Sequence, residues 1–243
     1  MNLQTVRYVA FWLFVCCLPV LLVTTAIRWA VNEVRLYEYG FEKHRVSQDT
    51  GISSPELRKV ALDLIDYFNF RRDEAQVIIN GGDGEIRLFS VKELIHLQDV
   101  RGLIQLNTIV QLSALAVMLV CISVLSFLSR HRWANLAKGL FAGSVLTLSA
   151  AAVMILWCWL GFRYFFYLFH VVSFSNEYWM LDPAKDYLIR LFPEGFFYDA
   201  ALFVFGAVLI VTLLVMGVSL YASRLFSRQK VGAGSAFYFW RLA

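Results

Sequence analysis

Two of the four histidines, His96 and His170, stand where they could move protons beside a lipid. An imidazole titrates near neutrality, so it can take a proton from one reacting atom and give one to another. His96 lies seven residues before an apolar run at 103–128, and His170 lies eight residues after one at 140–162. At about 1.5 Å per helical residue, both sit roughly 10–12 Å beyond those runs. Consecutive runs cross in opposite directions, so the two rings reach a similar height on one side. The other two histidines have simpler expectations. His131 lies among basic residues and is expected to meet lipid headgroups, and His44, within Glu42-Lys43-His44-Arg45, is expected to be solvated.

Polar neighbours surround both candidates. Asp99 follows His96 by three residues, shares its helical face and could fix the imidazole tautomer. Arg163 precedes His170 by two turns, with Tyr167 between them. An arginine at that depth turns either to a polar cavity, where it could hold an oxyanion, or to the interface. Asn176, Trp179 and Asp182 follow His170 closely. Three chemistries suit this set. Acyl transfer at lipid esters would use the histidines as general base and general acid. Haem ligation would clamp one iron between them. A metal site would add Asp99 or Asp182, at a spacing that matches no specific motif. The non-chemical alternative is that both rings satisfy headgroups or loop carbonyls.

The elements that must carry these residues are membrane spans. Four apolar runs, at 8–27, 103–128, 140–162 and 200–221, contain no Asp, Glu, Lys or Arg in their interiors. Each is near or above the ~20 residues a helix needs to cross a bilayer. Mean hydropathy of +0.62 and 59% hydrophobic residues exclude an ordinary soluble domain. The fold class is therefore all-α integral membrane, with four transmembrane helices and a small extracytoplasmic helix-plus-hairpin insertion after the first.

Basic residues set the orientation. Arg7 precedes the first span, Arg130, Arg132 and Lys138 lie between the second and third, and Arg224, Arg228, Lys230 and Arg241 follow the fourth. All Asp and Glu fall in the other two loops. The expected layout is a cytoplasmic start and first span at 1–27, an extracytoplasmic domain at 28–102, spans at 103–128, 140–162 and 200–222, a cytoplasmic loop at 129–139, an extracytoplasmic segment at 163–199, and a cytoplasmic tail at 223–243. The net charge of +4 arises from membrane-flanking clusters and gives no argument for nucleic acid. Span 1 is expected to stay uncleaved, with Trp29 as an interfacial anchor. Val15 stands where a lipobox wants a small residue, so Cys16 is not expected to carry a lipid. Cys16, Cys17, Cys121 and Cys158 all lie in spans, which excludes a quinone-reducing thiol oxidoreductase with outward cysteine pairs.

Within 28–102, helical spacing at 29–42 would continue span 1. Ser54-Pro55 opens a second helix whose Leu57, Val60, Ala61, Leu64, Ile65 and Phe68 form one apolar face, expected on the membrane or the spans. Two short strands flank Asn80-Gly81-Gly82-Asp83-Gly84, a hairpin signal rather than a phosphate loop, since no Gly-Lys-Ser/Thr follows. Ser90-Val91-Lys92-Glu93 is a capping box, opening one long helix through residue 128. The aromatic run 164–169 would be an interfacial girdle continuing the third span.

The run His96-Leu97-Gln98-Asp99-Val100-Arg101-Gly102-Leu103 resembles the His-x-x-Asp-Val-basic-x-Leu motif of bacterial lipoprotein intramolecular transacylases. A second signature of that family resembles Phe169-His170, Phe174, Asn176, Trp179, Asp182-Pro183, Asp186 and Phe192-Pro193-Glu194-Gly195-Phe196-Phe197. The resemblance implies an enzyme of the bacterial cell membrane acting on diacylated lipoproteins among membrane lipids. It would move the sn-2 acyl chain of the diacylglyceryl-cysteine to the cysteine α-amine, giving an N-acyl lyso-form lipoprotein. It implies His96 and His170 as the catalytic pair. The expected supporting residues are Asp99, Arg163, Tyr167, Asn176, Trp179 and Asp182, and no cofactor or metal is expected. His96 is the expected base, because Asp99 could raise its basicity, and His170 the acid. Ser173 and Ser175 offer an acyl-enzyme alternative. A haem electron-transfer protein and a membrane scaffold remain the competing functions.

Overall fold

The computed structural model describes residues 2–81, 84–129 and 132–239, and the side chains of these except 80, 81 and 226–239. His131 therefore lies outside the described residues. Ten elements follow in order: α1 (Leu3–Asn32), α2 (Val34–Lys43), α3 (Val46–Thr50), α4 (Ser54–Phe68), β1 (Ile78–Gly81), β2 (Gly84–Arg87), α5 (Val91–Leu128), α6 (Arg132–Ser173), α7 (Tyr187–Leu191) and α8 (Glu194–Phe239). The chain divides into two compact units. Stretches of α1, α5, α6 and α8 belong to each.

Among the described residues, four helices are long and apolar enough to cross a bilayer: Leu3–Asn32, Val91–Leu128, Arg132–Ser173 and Glu194–Leu225. In the unit made of Met1–Thr24, Val110–Val153 and Gly206–Ala243, the core gathers Ala10, Phe14 and Leu18 of α1 with Met118, Cys121 and Leu125 of α5. Hydroxyls within these helices bond back to their own turns. Thr147 donates to the Gly143 carbonyl at 2.8 Å and Thr212 to that of Val208 at 2.6 Å. Polar groups without water must be satisfied internally in this way.

Gly139 and Gly143 form a small-x-x-x-small pair against α1, a spacing the sequence reading passed over. A β-carbon at Gly139 would sit 2.7 Å from Phe14 Cδ1, and one at Gly143 3.1 Å from the Val15 carbonyl oxygen. Close backbone approach of this kind needs glycine. Gly143→Leu is expected to lower stability by about 1–3 kcal/mol, the cost of overpacking. An unfolding midpoint in detergent equal to that of the wild type would refute it.

The unit made of Thr25–Ile109 and Met154–Phe205 holds a larger core. All six residues on the apolar face of α4 are buried there, with Val77 and Ile79 of the hairpin arm, Leu97 of α5 and Leu191 of α7. That face lies on protein rather than on lipid, because the hairpin and α7 supply enough apolar surface to cover it. The strands pair antiparallel, Ile78 with Arg87 through Gly81 with Gly84, as the glycine-rich turn predicts. The helix expected to run on from span 1 breaks at Glu33, which is extended (φ −93°, ψ 97°) and caps α2 by accepting the Arg35 N–H.

His44 is a correction. Rather than being solvated, its Nε2 lies 2.9 Å from Asp199 Oδ2, and Lys43 Nζ lies 2.6 Å from Oδ1. The hydrogen bond it donates to Asp199 raises the Lys43 ammonium above its ordinary pKa. Gly195 admits the ring: a β-carbon there would stand 2.6 Å from His44 Cε1. These contacts join α2 to the start of α8.

Candidate active site

The helix that carries His96 begins with the predicted capping box. Glu93 Oε2 accepts the Ser90 N–H at 2.7 Å, and Ser90 Oγ accepts the Glu93 N–H at 3.4 Å. Glu93 is 1% exposed, and its other oxygen accepts the Leu188 N–H at 2.6 Å. One carboxylate therefore satisfies backbone donors at the starts of two helices, α5 and α7. His96 follows one turn later. The long-range half of this tie had no signal in the sequence.

His170 lies in the last turn of α6. The helix is interrupted at Gly161, whose φ of −177° and ψ of 69° are not helical. Glycine is among the weakest helix formers, so the break falls where the ladder is easiest to open. The turns beyond it carry Phe166 and His170.

The structure brings the two imidazoles together, with ring centroids 6.1 Å apart and planes 33° from parallel. Both are buried, His96 at 7% and His170 at 8% exposure. Aromatic rings wall them in. Phe174 contacts both, at 5.0 Å from His96 and 5.5 Å from His170. Phe166 lies 4.4 Å and Trp179 5.1 Å from His170. Tyr167 stacks edge-on against Trp179 at 5.7 Å, so it borders the site through that ring.

Hydrogen bonding distinguishes the two rings. His170 Nδ1 is 2.7 Å from the Phe166 carbonyl oxygen. A carbonyl can only accept, so Nδ1 carries the hydrogen and Nε2 of the neutral ring holds the free lone pair. His96 Nδ1 is buried with no partner among the described residues. Buried polar atoms are nearly always paired, so this nitrogen is open to a group from outside the chain.

The other candidate residues separate into two groups. Asp99 and Asn176 join the site: Asn176 Nδ2 donates to Asp99 Oδ2 at 2.8 Å, and Asn176 Oδ1 accepts the Tyr178 N–H at 3.0 Å. Arg163 and Asp182 are engaged elsewhere. Arg163 is 89% exposed and pairs with Glu194 at 3.2 Å, which favours the interfacial alternative over the cavity. Asp182 is exposed in a turn, accepting the Ala184 N–H while its own N–H donates to Asp186. Phe166, within the aromatic run at 164–169, and Phe174, within the second signature, line the site although neither carried an expected role of its own. Among the described residues no group of three His, Cys, Asp or Glu is arranged to hold a metal.

The chain matches the family described as lipoprotein intramolecular transacylase Lit over residues 12–197. It belongs to that family. The match spans both histidine motifs and most of the chain, and it carries the general activity, transacylation within a lipoprotein. The fold agrees. An in meso structure of the membrane integral lipoprotein intramolecular transacylase Lit from Bacillus cereus superposes with a TM-score of 0.79, at 21% identity, covering 93% of this chain and 99% of that one. Two structures of histidine-substituted forms of the Bacillus cereus protein, one to arginine and one to alanine, superpose at 0.76 with 20% identity. They cover 93% of this chain and 96% and 97% of theirs. No curated protein matches the chain by sequence.

Proposed function

We propose that this protein moves the sn-2 acyl chain of a diacylglyceryl-cysteine to the α-amine of that cysteine, using His170 as general base and His96 as general acid. The observation that carries the reading is the buried imidazole pair with one ring nitrogen fixed and another unpartnered. The amine nitrogen attacks the ester carbonyl carbon and gives its proton to His170 Nε2. That proton passes from His170 to His96, which gives it to the leaving glycerol oxygen as the new C–N bond forms and the sn-2 C–O bond breaks. Both rings end neutral, as they began, which suits His96, whose pKa burial lowers to about 4. Nucleophile and ester belong to one molecule, so holding them together supplies much of the rate.

These roles exchange those expected from the spacing of His96 and Asp99. The Phe166 carbonyl commits His170 Nδ1 to donation, which leaves Nε2 as the acceptor. The haem alternative is opposed by Phe174, which touches both rings and lies beside the line joining them, where a porphyrin would extend. We further place the site on the extracytoplasmic side of a bacterial cell membrane, with both termini cytoplasmic and with spans at 8–27, 103–128, 140–162 and 200–222. The distribution of basic residues supports that orientation.

Expression in a host whose lipoproteins carry two glycerol-linked chains and a free amine tests this. Mass spectrometry should find one chain on nitrogen at unchanged total mass. His96→Ala should reduce that shift at least about a hundredfold, as for a lost general acid. If both chains stay on glycerol with the wild type, the proposal fails; if His96→Ala is silent, the assigned mechanism fails.

A further inference from the structure

Asp99 is a half-buried carboxylate with no cation paired to it among the described residues. The two basic residues nearest it on α5 are engaged elsewhere. Lys92 Nζ donates to the Met180 carbonyl, and the Arg101 guanidinium lies 4.4 Å from the Tyr67 ring and 3.8 Å from that of Phe70. Neither forms an ion pair with Asp99 among the described residues. What holds the carboxylate is a neutral amide. Asn176 cannot turn over without giving up the Tyr178 N–H, so its Nδ2 stays on Asp99 Oδ2. The amide fixes the direction of the carboxylate and leaves its charge uncompensated. One turn away, the His96 ring is 7% exposed, with Nδ1 lacking a partner among the described residues. The site thus contains a fixed negative charge and an open ring nitrogen on one helical face.

We propose that Asp99, held by Asn176, is the receptor for the α-ammonium group of the substrate cysteine. The inference rests on the transacylase reading and names the group that completes its site. A free α-amine has an ordinary pKa of about 7.7–8.0, so the substrate arrives mostly as the cation. A carboxylate in a partly desolvated aromatic site binds a cation more strongly than it would in water. The ammonium docks on Asp99 and releases one proton to water, and the uncharged amine then attacks the ester and gives its next proton to His170 Nε2. Recognition of the cation also explains why the carboxylate is oriented by an amide. A lysine or arginine in place of Asn176 would cancel the charge that selects the amine.

The test uses two inert ligands in lipid nanodiscs. One is a cysteinyl peptide bearing a dialkylglyceryl thioether, whose ether links cannot be transacylated. The other is the same compound with hydrogen in place of the α-amine. The wild type should bind the amine form at least about tenfold more tightly, the scale of a hydrogen-bonded charge. Asp99→Asn keeps an oxygen for Asn176 and should lose most of that preference; Asp99→Ser gives the same comparison if the amide does not fold. Equal binding of the two ligands by the wild type, or a preference unchanged in either variant, overturns the receptor while leaving transacylation by the wild type intact. If neither ligand binds the wild type, the receptor and the transacylase reading fall together.

Discussion

Replacing His170 with alanine is expected to reduce acyl transfer at least about a hundredfold while the protein remains folded. The ring touches Phe166, Phe169, Phe174 and Trp179, and among the described residues its hydrogen bond goes to a backbone carbonyl. Truncation removes the acceptor nitrogen and leaves a pocket with aromatic walls. Its stability cost should fall in the ordinary range of about 0.5–3 kcal/mol. The pocket makes a stringent test possible. Added imidazole should enter it and restore part of the activity, since the walls and the Phe166 carbonyl remain to orient the guest. His170→Phe fills the space and should gain nothing from imidazole. Activity of the alanine variant near that of the wild type would remove His170 from the chemistry. A loss that imidazole leaves untouched in both variants would point to packing instead.

Glu93→Ala should be the most destabilising single change in the unit that carries both histidines. The carboxylate accepts two backbone N–H groups at 2.7 Å and 2.6 Å in a site 1% exposed. Each such bond to a charged acceptor contributes about 1.5–3 kcal/mol, and a stranded buried donor adds its own desolvation cost. A total loss of at least about 3–6 kcal/mol is expected, read as a lower unfolding midpoint in detergent. Glu93→Gln should fall between alanine and wild type. Its oxygen can keep one N–H, but its amide nitrogen presents hydrogens to the other. A midpoint for Glu93→Ala equal to that of the wild type would mean that the tie between α5 and α7 carries no weight.

Local rules made much of this architecture readable. Uninterrupted apolar runs announced the four candidate spans, the glycines at 81, 82 and 84 announced the hairpin, and Ser90 with Glu93 announced the start of α5. Two antiparallel runs of similar depth were enough to suggest that His96 and His170 could meet. Contacts between distant segments were not readable. Asp99 meets Asn176 across 77 residues and Glu93 meets Leu188 across 95, and no spacing rule reaches that far. Arg163 had two open destinations, and only the position of Glu194 chose between them. His44 looked solvated because its neighbours in the chain are charged, whereas Asp199 and the bare backbone of Gly195 decided its surroundings. The assignment of His170 as base turned on one rotamer that points Nδ1 at the carbonyl four residues back. Sequence carries no record of that angle.

The interruption at Gly161 bears on how the protein lives in membranes of different thickness. A span longer or shorter than the hydrocarbon around it adjusts by tilting, and a stiff helix transmits that tilt along its whole length. At Gly161 the helical ladder is broken, so the turns that follow are joined to those before them by a compliant link. The stub after the break and its aromatic neighbours hold the spacing between the imidazoles. A joint before that stub would let the ring pair keep one arrangement in thin and thick bilayers alike, a form of mechanical insulation.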